Sequence, residues 1–473
     1  MREPAGPETV GDLAIVLHSH MPYVEGFGTY PFGEEWLFDA VIRSYLPVLE
    51  VARDLTMTVT PVLADQLEDR AAAQRLRAFL VRHRIEAEVE DLDRLPDECR
   101  AAGEAEIERY RQALGLLDEA GGDPLRPFQQ AAAEGRVELA ASAATHAVLP
   151  LLATRAGARL QLDAGIRSHR RRFGWSGGIW LPECAYAPGL ESRLAEHGAR
   201  WFCVDQSAHD ERLDALAPVR TGAGPVAFPI DWEAIQWLWS LDGYPSHPAH
   251  AQFAAKSMRG ARIWKIGGGG YQPEAAAAVA RDQAAEFLAA VAARLRACSE
   301  ARSRRGLLVF AIDTELLGHW WSEGVGWLKA VLDGAEGAGV RLLSLDRALA
   351  EHDPVERPLR ASTWGEGKDL RTWDSPEVAD LAWAARRLEL RLLRALSRGL
   401  DPAAAKRAAR ELLAAQSSDW AFLDGRRQAG DYPYQRATAH AESLLEAIES
   451  SPSPDPELRA LAPDLHLSPL LEP

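Results

Sequence analysis

Nothing in this sequence marks a protein built to cross a membrane, cross-link itself or grip a polyanion. No run of about 18 apolar residues occurs, and the opening stretch MREPAGPETVGD is polar, without the apolar core of a secretory leader. A cytoplasmic address is the expectation. Cysteine is scarce: Cys99, Cys184, Cys203 and Cys298 are scattered and form no C-x-x-C pair, which argues against a disulfide framework or a thiolate zinc site. Positive charge is in deficit, with 53 Lys plus Arg against 69 Asp plus Glu and a net charge of -16. That balance repels phosphate backbones, and no interleaved basic and aromatic patch offsets it. Neither nucleic acid nor a membrane is an expected partner, and the sequence gives no sign of an oligomeric state. Methionine is rare too, at four residues against fifteen Trp. Trp offers flat apolar faces and one N–H donor, suited to core packing or to stacking on sugar rings, so position has to decide between them.

The chain has 473 residues, 47% of them hydrophobic, enough for one large core and a second, smaller unit. Short apolar runs bounded by turn residues recur at 13–20, 57–63, 137–142, 178–183, 200–205, 262–266, 307–313 and 340–345, and each reads as a buried strand. Helical stretches such as PEAAAAVARDQAAEFLAAVAARLRA lie between them, and this alternation predicts an α/β parallel barrel of seven or eight strands. Residues 64–135 exceed a normal crossover and carry Ala, Glu, Arg and Leu at helical spacing, which predicts an inserted helical subdomain. The predicted organisation is a catalytic barrel over 11–350, a helical domain over 355–450 built on three amphipathic stretches, and a Pro-rich surface tail over 451–473.

Catalytic groups of parallel barrels gather where strands end and chains leave the sheet. Here His18 and His20 end the first strand, Thr145 and His146 follow the third, Glu183 ends GIWLPE, and Asp313 and Glu315 end the late strand. Asp313 alone is equally readable as a helix N-cap. Two carboxylates on different strands, with Trp180 and Tyr186 near one and Trp320 and Trp321 near the other, form the equipment for cleaving an acetal: a proton donor, and a second carboxylate about 5 to 5.5 Å away if configuration is retained. A zinc hydrolase is the rival reading, because His-x-His, a further His and a late Asp can hold zinc. The middle strands supply no His, which weighs against it. A catalytically silent glucan-binding protein is the third.

Six segments in order, LHSHMPYV (17–24), GRVELAASAATHAVLPLL (135–152), GGIWLPECAYAPGLE (177–191), AIDTELLGHWWSEG (311–324), STWGEGKDLRTW (362–373) and ELLAAQSSDWAF (411–422), resemble glycoside hydrolase family 57 in its α-1,4-glucan branching branch. The resemblance implies a distorted (β/α)7 barrel with a C-terminal helical domain completing the cleft, a retaining mechanism, an α-1,4-glucan substrate, and neither metal nor cofactor. By the same likeness Glu183 is the nucleophile and Asp313 the general acid/base, with His18, His20 and His146 lining the reacting subsite. Trp364 and Trp373 are cleft aromatics from the helical domain, and Trp36, Trp180, Trp320 and Asp419 are further substrate-binding candidates.

What resolves the glycosyl-enzyme decides the function: water gives an amylase, and a glucan 6-hydroxyl gives a branch. The resemblance implies that branching members carry a Tyr on a loop over the cleft, whereas residues 206–231 contain none and look shortened, as does 247–272. Branching accompanied by notable hydrolysis is the expectation, and an α-amylase-type hydrolase is the alternative.

Overall fold

In the computed structural model, which describes residues 9–29, 32–205, 216–449 and 460–471, ten strands form two sheets whose main strands curl into one ring. The strands are β1 (Gly11–Ser19), β2 (Leu55–Val59), β3 (Val137–Ala140), β4 (Gly178–Ile179), β5 (Trp201–Asp205), β6 (Val219–Arg220), β7 (Val226–Ile230), β8 (Leu307–Asp313), β9 (Val340–Leu342) and β10 (Val355–Glu356). One sheet runs β3-β2-β1-β8 and the other β10-β6-β7-β5-β4. Two seams close them. At the first, Ala141 N donates to Gly178 O at 3.0 Å and Trp180 N to Ala141 O at 2.8 Å; at the second, Asp231 N donates to Val309 O at 2.8 Å. The result is a distorted (β/α)7 barrel of β1, β2, β3, β4, β5, β7 and β8. The distortion is visible at β1, where β2 pairs with the upper half and β9 with the lower half of the same edge.

Burial explains the continuous apolar runs. All nine residues of β1 are buried, because a parallel strand inside a barrel meets side chains on both faces. Several strands stop short of their apolar runs, and each stop has a local cause. β2 ends at Val59 because Pro61 opens the helix Pro61–Glu68, a place where its missing N–H costs nothing. β9 ends at Leu342 because Ser344 caps the helix Leu345–Glu351. β4 keeps only two residues before the turn at Pro182–Cys184. Residues 262–266, expected as a strand, make only isolated bridges at Trp264 and Lys265. The strand that replaces it in the ring is β7, VAFPI, whose internal Pro229 argues against a central strand by local rules.

Between β2 and β3 lies the expected helical insertion, including Arg70–Phe79, Arg100–Glu119 and Arg126–Ala133. Of the C-terminal helices, Ala379–Leu396, Pro402–Ala415 and Tyr432–Glu449 share a core with barrel residues Tyr23, Val62, Ala144 and Leu160, while Ser418–Gly425 packs through Trp420 and Ala421 in two smaller clusters. The expected surface tail needs correction within 460–471. Leu461, Leu465 and Leu470 are buried in that same core, and Ala462 N donates to Asp65 Oδ2 at 2.7 Å. Pro-rich residues 451–459 lie outside the described residues. No helix among the described residues is long and apolar enough to cross a membrane.

Candidate active site

The C-terminal ends of the strands open into a cleft of about 920 Å³ whose lining includes His18, His20, Trp36, His146, Glu183, Asp313, Trp320, Trp364, Trp373 and Asp419. That is the upper end of the range for ligand pockets. Ten of the eleven expected residues therefore meet in one place. The exception is Trp180, which is fully buried. Its indole lies beneath the floor, stacked on His18 at 4.8 Å and edge-on to Trp364 at 5.0 Å, so it supports the site and does not face a sugar. Trp373 reaches the lining only at its edge, being 3% exposed and packed with Val148, Val378 and Ala421. Trp320, by contrast, is 52% exposed and packs at a tilt against Phe253, ring centroids 4.6 Å apart.

Glu183 owes its position to an unusual turn. Both it and His146 take left-handed backbone conformations, with φ of 61° and 59°, a strain that side-chain-bearing residues keep only where surroundings enforce it. The enforcing contacts come from the C-terminal third of the chain. Trp364 N donates to Glu183 O at 3.0 Å, its indole Nε1 donates to Glu183 Oε2 at 2.9 Å, and His146 Nδ1 is paired with Ser418 Oγ at 2.9 Å. His146 Nδ1 also stands 3.6 Å from Glu183 Oε1. Burial, with the Asp419 charge, raises the Glu183 carboxyl above its ordinary range; the bonds from Trp364 and Ser418 oppose that shift without cancelling it.

Asp313 sits opposite, paired in register with His18 across β8 and β1. Burial, then the like charges of Glu315 and Glu183, push its carboxyl well above the usual carboxylate range. Glu315 adjoins it, accepting from His20 N at 3.0 Å and from the Tyr45 hydroxyl; burial takes Glu315 up to about 7.

The three histidines are layered between these walls. Their rings stack, His18 on His146 at 4.9 Å and His146 on His20 at 4.1 Å. Burial, reinforced by the His20 charge, pushes His18 and His146 well below the usual imidazole range, so both are neutral. Burial also opposes a charge on His20, yet Asp419, Glu315 and Glu183 together outweigh it and the net shift is upward. Its Nε2–H donates to Asp419 Oδ2 at 3.0 Å and its Nδ1 pairs with Thr60 Oγ1 at 2.9 Å. Face-to-face rings do not converge their nitrogens on one point, as a zinc site requires. Among the described residues no group of three or more His, Cys, Asp or Glu is arranged to hold a metal ion.

Several cleft residues were not singled out from the sequence as site residues. Glu315 was visible at a strand end, and Ser418 immediately precedes Asp419 in the matched segment ELLAAQSSDWAF. Lys368, inside the matched segment STWGEGKDLRTW, also lines the cleft, as do Trp232, Trp239 and Phe253, which no local pattern distinguishes from surface or core residues.

A barrel rim carrying two buried carboxylates in an aromatic cleft is the apparatus of an enzyme that works on glycosidic bonds. The chain belongs to glycosyl hydrolase family 57, whose model matches residues 14–357. A second model, the C-terminal region of 1,4-alpha-glucan branching enzymes, matches residues 381–462. A 1,4-alpha-glucan branching enzyme of Thermococcus kodakarensis is 32% identical over 92% of this chain and 73% of its own length. A probable 1,4-alpha-glucan branching enzyme of Mycobacterium tuberculosis is 33% identical over 92% of this chain and 91% of its own. The crystal structure of a branching enzyme of this family from Pyrococcus horikoshii superimposes with a TM-score of 0.90 at 30% identity, covering 98% of this chain and 97% of that one.

Proposed function

We propose that this chain is a 1,4-α-glucan branching enzyme acting by a retaining mechanism, with Glu183 as nucleophile and Asp313 as general acid/base. The observation that carries the assignment of roles is the contrast between the two carboxylates. Glu183 accepts a bond from the Trp364 indole, which restrains its upward shift and favours the ionised nucleophile, whereas burial and two neighbouring carboxylates push Asp313 well above the usual carboxylate range, the direction a proton donor needs. In the first half-reaction Glu183 attacks the anomeric carbon while Asp313 passes its proton to the departing glycosidic oxygen. In the second, Asp313 as a carboxylate takes a proton from the acceptor hydroxyl, which displaces Glu183. Neutral His18 and His146, and His20 with its proton favoured by Asp419, supply hydrogen bonds to the hydroxyls of the reacting glucose.

The acceptor decides between branching and hydrolysis. The similarity of residues 381–462 to branching-enzyme C-terminal regions supports transfer to a 6-hydroxyl. A share of hydrolysis is favoured by a separate observation. Residues 206–231 contain no Tyr, and the next one downstream, Tyr244, is buried against Trp237 and covers no part of the cleft. Segment 206–215 itself lies outside the described residues. Incubation with amylose, followed by enzymatic debranching of the product, separates the reactions. New α-1,6 linkages with a moderate rise in reducing ends are the expected result. Reducing ends without any new branch would overturn branching and leave a retaining α-glucan hydrolase.

A further inference from the structure

Lys368 lines the cleft at a left-handed backbone position, φ 59°, and its ammonium touches two strand ends at once. Nζ donates to Oδ2 of Asp205, the last residue of β5, at 2.7 Å. It also stands 2.9 Å from the ring centroid of Trp232, the first residue of the helix after β7. The Asp205 side chain is 1% exposed, so this pair is sheltered from the solvent screening that weakens surface ion pairs. A cation against an indole face adds to the hold.

The loop that carries Lys368 also carries Trp364. Upstream it is pinned to the chain around Glu183: Ser362 and Tyr186 exchange two main-chain bonds of 2.9 and 3.0 Å, and Trp364 N donates to Glu183 O. Within the loop, Lys368 N donates to Gly365 O at 3.0 Å and Thr363 N to Lys368 O at 3.3 Å, while Thr363 Oγ1 donates to Asp369 O at 2.6 Å. The turn is closed so tightly that a Cβ on Gly365 would lie 2.8 Å from the Trp373 ring. Indole and ammonium are thus opposite ends of one small, internally bonded unit.

We propose that Lys368 is a positioning residue: by locking onto Asp205 and Trp232 it fixes the 363–369 turn so that the Trp364 indole N–H stays on the Glu183 carboxylate. This rests on the reading of Glu183 as the nucleophile. The indole bond favours the ionised carboxylate, so a displaced indole raises the pH at which Glu183 can attack. The other groups that face Glu183 are His146, Ser418, Asp419, His20 and Asp313, and none of them belongs to the turn.

Lys368→Met keeps the aliphatic stem and removes the anchor. On amylose, the acidic limb of its kcat profile is expected to move up by about one pH unit, with Lys368→Arg returning it toward the parent. Trp364→Phe alone should give the same displacement, and adding Lys368→Met to it should move the limb no further. An unmoved limb with a lowered Tm would make Lys368 a structural brace, and an unmoved limb with a raised KM would make it a sugar ligand. An additive shift in the double variant would mean its charge acts on Glu183 directly. Each of these overturns the proposal. If Glu183→Gln retains turnover, the underlying nucleophile reading has failed instead.

Discussion

The two walls of the cleft hold the same functional group in opposite conditions. On the β4 side, Glu183 hangs from a strained turn and is held by a main-chain and an indole bond. On the β8 side, Asp313 continues a regular strand, and its closest electrostatic company is Glu315 and Glu183. One wall spends backbone strain on orientation and supplies donors to a charge; the other withholds donors and crowds in negative charge. A carboxylate's role in this enzyme follows from its neighbours, since the chemistry of the acid group is the same on both walls.

The largest effect should come from erasing the difference. Glu183→Gln and Asp313→Asn are each expected to lower kcat on the order of 10,000-fold or more, with the far-UV signature of the fold retained. Near-parental activity in either variant would remove that residue from the mechanism. The next test asks which aromatic groups belong to the walls and which to the frame. Trp373→Ala should cost about 3 to 5 kcal/mol of stability, as for a large ring lost from a core, and show as a clear fall in Tm. Trp320→Ala should leave Tm nearly unchanged and weaken glucan affinity, because that ring is half exposed at the rim. The reverse pattern would exchange their roles.

A smaller displacement is expected from Glu315→Gln. Once ionised, Glu315 resists loss of the Asp313 proton, so its neutral replacement lets Asp313 ionise earlier, and the basic limb of the kcat profile should move to lower pH. An unmoved limb would show that burial alone sets the acid. The smallest effect concerns stability. Asp313 has a raised pKa in the folded state, so stability falls as pH rises from the unfolded value near 4 toward that raised value. Asp313→Asn escapes this penalty and should melt higher than the parent at about pH 7, with the difference vanishing at about pH 4. Equal melting at both would mean the carboxyl is not held protonated by the fold.

Legibility in the sequence followed sequence distance. The barrel was readable because a doubly buried parallel strand carries a continuous apolar run, as β1 does over 13–17 and β8 over 307–312. VAFPI was not, because Pro229 violates a local rule that its tertiary setting overrides, and 262–266 misled because an apolar run also suits an irregular segment packed under helices. Glu183, Asp313 and the three histidines were visible as polar residues ending apolar runs. Trp180 stood in the same kind of place, but whether a ring ends above or below the floor depends on the turn after β4, which residue spacing does not encode. Lys368 fell inside the quoted segment STWGEGKDLRTW, but its contacts were not legible there, since its partners Asp205 and Trp232 lie more than a hundred residues upstream and only the closed ring unites them.

Ser418 and Asp419 pair with His146 and His20, yet they follow Asp313 by about a hundred residues in chain order. During synthesis, a ribosome that has reached residue 400 has already made both carboxylates and all three imidazoles, but neither Ser418 nor Asp419. The histidine layer is therefore completed late in translation, so a chain released before residue 418 lacks the Asp419 carboxylate beside His20 and the Ser418 hydroxyl beside His146.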